Sequence, residues 1–379
     1  MAWQERDTVS IRLEFVSLAA QPGANRRELC RRFEVSPKTA YKWLQRFDGS
    51  RESLQDRSRR PRSSPERSCA VVEEAVVQLR QQHPEWGGRK ISRRLLDLGC
   101  AQVAPSTVTS ILHRHGLIRA HASEQAAPTQ RFEHPEPNAL WQMDFAGYFN
   151  TLAGACYPLA VLDDHSRFNL ALTANARFAA ADIQPQLHAV FQRYGLPVRI
   201  NVDNGPPWGG AWAVKDGLTQ LTVWLIRLGV IVSHSRPHHP QTNGKVERFH
   251  RSLNTEVIGQ RLFADHQQVQ RAFDRWRHVY NFQRPHDALQ MQTPIQRYRP
   301  SPKRMPKSLP PIEYASNDIV LKVAHERIRF KGRTWPISRA LTGLPIAVRP
   351  DPDVDGRYQL YFCKHRFGSI DLNRPPVDS

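Results

Sequence analysis

The sequence predicts a multidomain protein that opens with α-helical units, continues into an α/β domain and closes with a small β-rich domain. Three observations carry this expectation. Apolar residues recur at helical spacing, between capping residues and Pro/Gly breaks, through roughly the first 120 positions. From Leu140 the pattern shifts to short apolar runs of strand type, interleaved with helical stretches. Beyond Pro300 only short strand-like runs remain.

Residues 1–50 read as a three-helix unit. Val9, Leu13, Val16 and Leu18 form one apolar helical face, which Pro22-Gly23 ends. Asn25 can cap a second helix through Leu29 and Phe33. Ser36-Pro37 is an N-cap followed by proline at the first helical position. The third helix then turns Lys38, Thr39, Tyr41, Lys42 and Arg46 outward and Ala40, Trp43, Leu44 and Phe47 inward. This is a helix-turn-helix pattern, and a short helix with polar and basic residues near its start suits a DNA major groove. Lys38, Thr39, Lys42 and Arg46 are therefore candidate DNA contacts.

Residues 51–67 are rich in Ser, Arg and Pro and read as a basic linker. Arg57, Arg59 and Arg60 within it could follow phosphates or enter a minor groove. Residues 68–119 form a second helix-turn-helix candidate. A helix over 66–82 presents Val72, Val76 and Leu79 and breaks at His83-Pro84-Glu85-Trp86-Gly87-Gly88. A helix from Arg89 to about Leu98 stops at Gly99, and Pro105-Ser106 opens a third helix through Val108, Ile111 and Leu112. Thr107, Thr109, Ser110 and Arg114 fall on its outer face. Residues 120–137, rich in Ala, Pro and Gln, read as a linker into the next domain.

Residues 138–300 hold the α/β domain. Strands are expected at Leu140–Asn150, Tyr157–Leu162 and Phe168–Thr173, then a helix over 179–194 and a short buried strand at Val198–Val202. A helix at 218–228, a strand at 230–234 and helices at 243–258 and 267–281 follow. Three antiparallel strands, a helix, a further strand and then helices match the ribonuclease-H-like core, which sets its first and fourth strands side by side. Residues 301–379 form the last domain, read as a small barrel-like set of strands around Ile319–Leu321, Arg327–Phe330, Thr334–Ile337, Ile346–Val348 and Tyr358–Phe362.

Chemistry concentrates in the α/β domain. Asp144 lies in the first strand, within Leu140-Trp141-Gln142-Met143-Asp144-Phe145, where a buried charge is costly without compensation. Asp203 ends the fourth strand, so strand pairing would bring it beside Asp144. Glu247 falls in the first turns of a helix that begins near Asn243 and can reach the same place. Three such carboxylates repel one another unless cations neutralise them, and hard oxygen ligands select Mg²⁺ or Mn²⁺. Two ions about 3.5–4 Å apart would activate a water or a 3′-hydroxyl and stabilise a leaving oxygen. Asn204 and Gly205 shape the turn that aims Asp203. Lys245, Arg248 and Arg251, on or near the Glu247 face, could hold phosphates.

These runs resemble a known family. Trp141-Gln142-Met143-Asp144-Phe145, Asp203-Asn204-Gly205 and Arg236-Pro237-His238-His239-Pro240-Gln241-Thr242-Asn243-Gly244-Lys245-Val246-Glu247-Arg248-Phe249-His250 look like the retroviral-integrase-type catalytic core of bacterial insertion-sequence transposases. The four-eighty-one group is the nearest in pattern, and its members also carry stretches like Asp56–Pro61 and Trp86–Ile91. The resemblance covers most of residues 1–300. It implies that Asp144, Asp203 and Glu247 are a catalytic and metal-binding Asp-Asp-Glu triad. It further implies double-stranded DNA as partner, both element ends and target, with a homo-oligomer acting in the DNA complex. Two departures stand out. Asp203 and Glu247 lie 44 residues apart, longer than is familiar from retroviral integrases. The integrase-type His/Cys zinc module is also replaced by helix-turn-helix units.

Charge and composition agree with a DNA partner. The net charge is +19. Residues 1–130 carry 22 Lys and Arg against 14 Asp and Glu, and residues 231–304 carry 13 against 5. Residues 131–230, which hold Asp144 and Asp203, carry 7 against 8. Two basic regions thus flank a near-neutral one. The five scattered cysteines suit neither zinc ligation nor a disulfide framework. No apolar run is long enough for a membrane span, and the N-terminus does not read as a signal peptide. The expectation is a soluble bacterial cytoplasmic protein associated with the nucleoid. It would bind the terminal repeats of its mobile element, free 3′-hydroxyls and join them to target DNA. The alternative is a DNA-binding regulator with an inactive integrase-like domain.

Overall fold

The computed structural model describes residues 7–57, 68–118, 133–209, 218–234 and 244–374. The chain divides into two compact units, residues 1–68 and 69–379. No described helix is long and apolar enough to cross a membrane.

In the first unit α1 (Thr8–Ala19), α2 (Arg26–Arg32) and α3 (Pro37–Arg46) each start on a side-chain cap. Asp7 accepts from the Val9 N–H, Asn25 from Glu28 and Ser36 from Thr39, which answers the orphan donors of each first turn. Phe15, Val16, Ala19, Cys30, Ala40, Trp43 and Leu54 form the core. Leu54 corrects the expectation that a linker begins at 51. It is fully buried in a short 3-10 turn, Glu52–Leu54. Arg12 donates to the Leu54 carbonyl at 2.8 Å and pairs with Asp56 at 3.0 Å. One leucine and two well-placed acceptors hold residues 52–56 to the helices, despite a composition that reads as linker.

The second unit opens with α4 (Ala70–Gln82), α5 (Gly88–Asp97) and α6 (Pro105–Arg114), packed around Val76, Leu79, Trp86, Ile91, Leu95, Val108, Ile111 and Leu112. Gly88 is needed for the close approach of α5 to α6. A Cβ there would stand 2.3 Å from Thr109 Oγ1 and 2.6 Å from the Pro105 carbonyl. Arg114 is exposed as expected and also pairs with the buried Glu73 of α4.

The α/β core follows as β1 (Leu140–Phe145), β2 (Phe149–Thr151), β3 (Gly154–Asp163), β4 (Asn169–Asn175), α7 (Ala180–Tyr194), β5 (Arg199–Val202), α8 (Gln220–Arg227) and β6 (Ile231–His234). The single strand expected at 140–150 breaks in two at Gly147, whose φ of +73° only glycine adopts cheaply. β1 pairs antiparallel with β3 and parallel with β5; β4 lies outside β3 and β6 outside β5. This is the mixed sheet of a ribonuclease-H-like core. One face packs Trp141, Met143, Leu159 and Val161 against α7 and α8. The other packs Cys156, Ala160, Leu162 and Leu172 against α9 (Gly244–Glu256) and α10 (His266–Phe282).

A short helix, α11 (Pro294–Arg297), precedes the C-terminal strands β7 (Ile319–Lys322), β8 (Arg327–Phe330), β9 (Arg333–Pro336), β10 (Pro345–Pro350), β11 (Arg357–Phe362) and β12 (His365–Asp371). These make a four-stranded sheet, β12-β11-β10-β7, and a separate β8-β9 hairpin, so the expected barrel-like closure is not formed among the described residues. Nor is position 301 a break in packing. Val323, Ile346, Val348, Leu360 and Phe362 share one apolar cluster with Trp141 and Ile200. The Ser338 hydroxyl donates to the Leu218 carbonyl at 3.1 Å, and Lys303 to that of Gly229 at 2.7 Å. The small sheet lacks enough apolar surface to close on itself and borrows a face from the core.

Candidate active site

The pairing of β1 with β5 places two carboxylates together. Leu140, Trp141 and Gln142 oppose Arg199, Ile200 and Asn201. Continuing that register by two residues sets Asp144 against Asp203. Because side chains alternate along a strand, Asp144 shares a sheet face with its cross-strand partner Ala160, on the side covered by α9 and α10. Glu247 lies in the first turn of α9.

Asp144 accepts a hydrogen bond from the Phe145 N–H at 2.9 Å. Burial, then the negative charges of Asp203 and Glu247, push its carboxyl up to about 7, with the Phe145 bond opposing. Burial also raises Asp203, against the opposing influence of the Gly205 N–H and of His234. His234 Nδ1 donates to the Asp203 carbonyl at 3.0 Å. Among the described residues Asp203 Oδ1 is buried without a hydrogen-bond partner. An unanswered carboxylate oxygen beside a second raised carboxyl suits a cation.

Glu247 is exposed. No three His, Cys, Asp or Glu side chains among the described residues converge closely enough to hold a metal ion. The expectation of three carboxylates packed together is thus corrected. Asp144 and Asp203 adjoin, while Glu247 stands off within electrostatic reach.

The loop after Asp203 fits a supporting role for Gly205. A Cβ at that position would stand 2.9 Å from Asp203 Oδ2 and crowd the carboxylate. Asn204 is exposed beside it. Glu256, a neighbouring acid on α9, is already committed to Arg284 and to the Trp276 indole N–H at 2.7 Å.

The basic candidates divide. Lys38, Lys42, Arg57, Arg248 and Arg251 are exposed. The Thr39 hydroxyl lies 2.9 Å from that of Ser36 at the helix cap, which occupies it locally. Arg59 and Arg60 lie outside the described residues, as do His238 and His239. Two expectations are overturned. The Arg46 guanidinium donates to the Gln55 carbonyl at 2.6 Å and lies 5.0 Å from the Trp43 ring centroid, so it holds the 52–56 segment rather than facing outward. The Lys245 ammonium sits 2.5 Å from Asp164, with its side chain only 17% exposed. Arg46→Ala should therefore lower the stability of the first unit by about 1–2 kcal/mol, since it removes both that hydrogen bond and the packing of the guanidinium on Trp43. Lys42→Ala should leave stability nearly unchanged. Thermal melts of the two variants check this; equal melting temperatures would return Arg46 to the exposed face.

Two residues at the site escaped sequence reading. His250, one turn after Glu247 on the same helix face, is buried with Nδ1 3.9 Å from Asp144 Oδ2. Burial pushes its imidazole down to about 4, so it is neutral at physiological pH. The signal was available in the three-residue spacing from Glu247. Gln142, two residues before Asp144, is buried on the same face, and period-two alternation could have marked it.

Residues 134–240 and 228–294 match the integrase core domain. Residues 11–62 match a helix-turn-helix domain, and residues 39–112 a homeodomain-like domain. Residues 318–377 match the C-terminal domain of the IS481 family transposases. The Gag-Pol polyprotein of avian reticuloendotheliosis virus is 25% identical over 46% of this chain and 16% of that protein. The insertion element IS476 uncharacterized 39.2 kDa protein of Xanthomonas euvesicatoria is 26% identical over 42% of this chain and 44% of its own length. The IS407 uncharacterized 31.7 kDa protein of Burkholderia multivorans is 21% identical over 61% of this chain and 82% of its own. The chain thus spans less than half of the first two of these relatives. Among solved structures, a chain of a simian T-cell lymphotropic virus intasome aligns with 78% of this chain and 99% of its own, at 17% identity and a TM-score of 0.36. The HTLV-2 integrase catalytic core domain in complex with magnesium aligns with 43% of this chain and 97% of its own, at 16% identity and a TM-score of 0.33.

Proposed function

We infer that this chain, a member of the IS481-type transposases, binds the terminal repeats of its own mobile element, cleaves there to free 3′-hydroxyls and joins them to target DNA. The observation that carries the reading is the register of β1 against β5, which opposes Asp144 to Asp203 and leaves Asp203 Oδ1 unanswered. Asp144, Asp203 and Glu247 would hold Mg²⁺ or Mn²⁺, two ions per site. Such ions, when bound, supply activation of the attacking water or 3′-hydroxyl and neutralisation of charge on the leaving oxygen. The chain's own groups do the rest. Asp144 would have to be deprotonated to hold such an ion, so affinity should rise with pH through about 7. Glu247 would complete the ligand set from the first turn of α9. The neutral His250 adds no competing positive charge. Arg248 and Arg251, exposed on α9, are placed for phosphates.

The helix-turn-helix units hold the ends through α3, with Lys38 and Lys42 exposed, and through α6. The substrate is double-stranded DNA, and the working form at paired ends is a homo-oligomer in the bacterial cytoplasm. A transfer assay with labelled end DNA tests the reading; joined product that needs Mg²⁺ or Mn²⁺ and vanishes with EDTA is the expected result. The second reading, a DNA-binding regulator with an inactive integrase-like domain, draws on the outward position of Glu247. End binding without metal-dependent nicking would establish it in place of the first.

Affinity for DNA should fall steeply with salt, because the two basic regions displace condensed counterions. With about five or more phosphate contacts, the log–log slope should be about −4 or steeper. A flat series would remove charge from the account of binding.

A further inference from the structure

The turn that carries Glu247 is tied to the sheet by polar side chains that serve no apolar packing. Gln142 is 2% exposed and Asp164 1% exposed. The Gln142 amide nitrogen donates to Asp164 Oδ1 at 2.9 Å. Its amide oxygen accepts from the Val246 backbone N–H at 3.2 Å. Asp164, in the turn directly after β3, also accepts from the His134 N–H at 3.0 Å. The Lys245 ammonium sits 2.5 Å from its Oδ2 and donates to its carbonyl at 3.3 Å.

Lys245 and Val246 are the two residues before Glu247. One is held by its side chain and the other by its backbone. Gln142 in turn lies two residues before Asp144 on the same strand face. A single chain of contacts therefore runs from the strand carrying Asp144 to the turn carrying Glu247. An apolar contact could have anchored the start of α9 without the cost of burying an amide and a carboxylate. It could not have fixed the turn's height and rotation, because apolar contacts are non-directional and hydrogen bonds are not.

We propose that Gln142, Asp164 and Lys245 form a latch that positions Glu247 toward Asp144 and Asp203. This rests on the reading of Glu247 as the third carboxylate of the site. These are positioning residues that touch neither metal nor DNA. Their effect is on how readily Glu247 joins the other two carboxylates when a divalent cation arrives, and outer residues of this kind typically change metal affinity 10–100-fold.

The test is direct binding of Mn²⁺ to the full chain without DNA, followed by electron paramagnetic resonance of the free ion. Gln142→Met keeps the volume and removes both hydrogen bonds; it should weaken Mn²⁺ binding about tenfold or more. Lys245→Met should do likewise, and Lys245→Arg, whose guanidinium can still reach Asp164, should restore affinity to within about twofold. Hydrogen exchange at the Val246 and Glu247 amides should speed up in Gln142→Met, with that of β3 unchanged. In a Glu247→Gln background Gln142→Met should add nothing. If Gln142→Met does not fold, Lys245→Met carries the test. Wild-type Mn²⁺ affinity in the foldable Met variants, alongside weakened binding in Glu247→Gln, overturns the latch. Wild-type Mn²⁺ affinity in Glu247→Gln itself locates the failure in the third-carboxylate reading, and the latch falls with it.

Discussion

Asp144→Asn should make the metal-free protein more stable at pH 8, by up to about 4 kcal/mol, while abolishing its stabilisation by divalent cations. Burial and the neighbouring carboxylates raise the Asp144 carboxyl from 3.8 to about 7. The sign follows from proton counts. Between those two values the unfolded chain has released a proton that the folded chain still holds. Stability therefore falls as pH rises through this window, and above it the full penalty of a buried, repelled charge is present. The amide carries no charge, keeps an oxygen for the Phe145 N–H and can donate to Asp203 Oδ1, which has no partner among the described residues.

Calorimetric melts in EDTA at several pH values check this expectation. The variant should melt several degrees above the wild type at pH 8, with the gap closing as pH falls toward 4. Adding Mg²⁺ should raise the wild type and leave the variant where it was. A gap that does not change with pH would mean that the buried charge is compensated by something other than a cation. The site would then have lost its reason to bind one.

The juxtaposition of Asp144 and Asp203 was legible because strand order and register are written locally. The apolar runs around Asp144 and Asp203 and the helix between them imply a right-handed crossover and adjacent parallel strands. The caps at Asn25 and Ser36 were legible for the same reason, since a cap and its helix are neighbours in sequence. The departures all involve partners far apart in the chain. Lys245 looked like a phosphate contact until it was seen against Asp164, 81 positions away. Arg46 looked outward because nothing in an Arg- and Ser-rich stretch announced that Leu54 would bury and bring the Gln55 carbonyl within reach. The last domain read as self-contained because its strands alternate well. The sharing of its apolar face with Trp141 is a tertiary fact with no local signature. The exposure of Glu247 in the first turn of α9 is likewise set by tertiary packing, which residue spacing alone does not describe.

Glu247→Gln should abolish cleavage and joining together, by on the order of a thousandfold or more, while leaving folding and end binding intact. Folding should survive because the side chain is exposed in the first turn of α9. The only loss there is a charge near a helix N-terminus, worth about 0.3–1 kcal/mol. End binding should hold or improve slightly, since one negative charge leaves a surface that meets phosphates. Chemistry should fail because a neutral amide is a poor ligand for a hard divalent cation, and two carboxylates alone do not set the geometry for both attacking and leaving oxygens. Asp203→Asn should match it, and a double variant should be little worse than either single one, as for residues that act as a unit. EDTA should reproduce the loss in the wild type, Mn²⁺ should replace Mg²⁺, and Ca²⁺ should support binding better than joining. Strand transfer of labelled end DNA, with gel-shift binding on the same preparations, separates these outcomes. Joining retained in Glu247→Gln would remove Glu247 from the site. Glu256 could not take its place, because Arg284 and Trp276 already hold it, and Asp144 and Asp203 would have to carry the reaction as a pair.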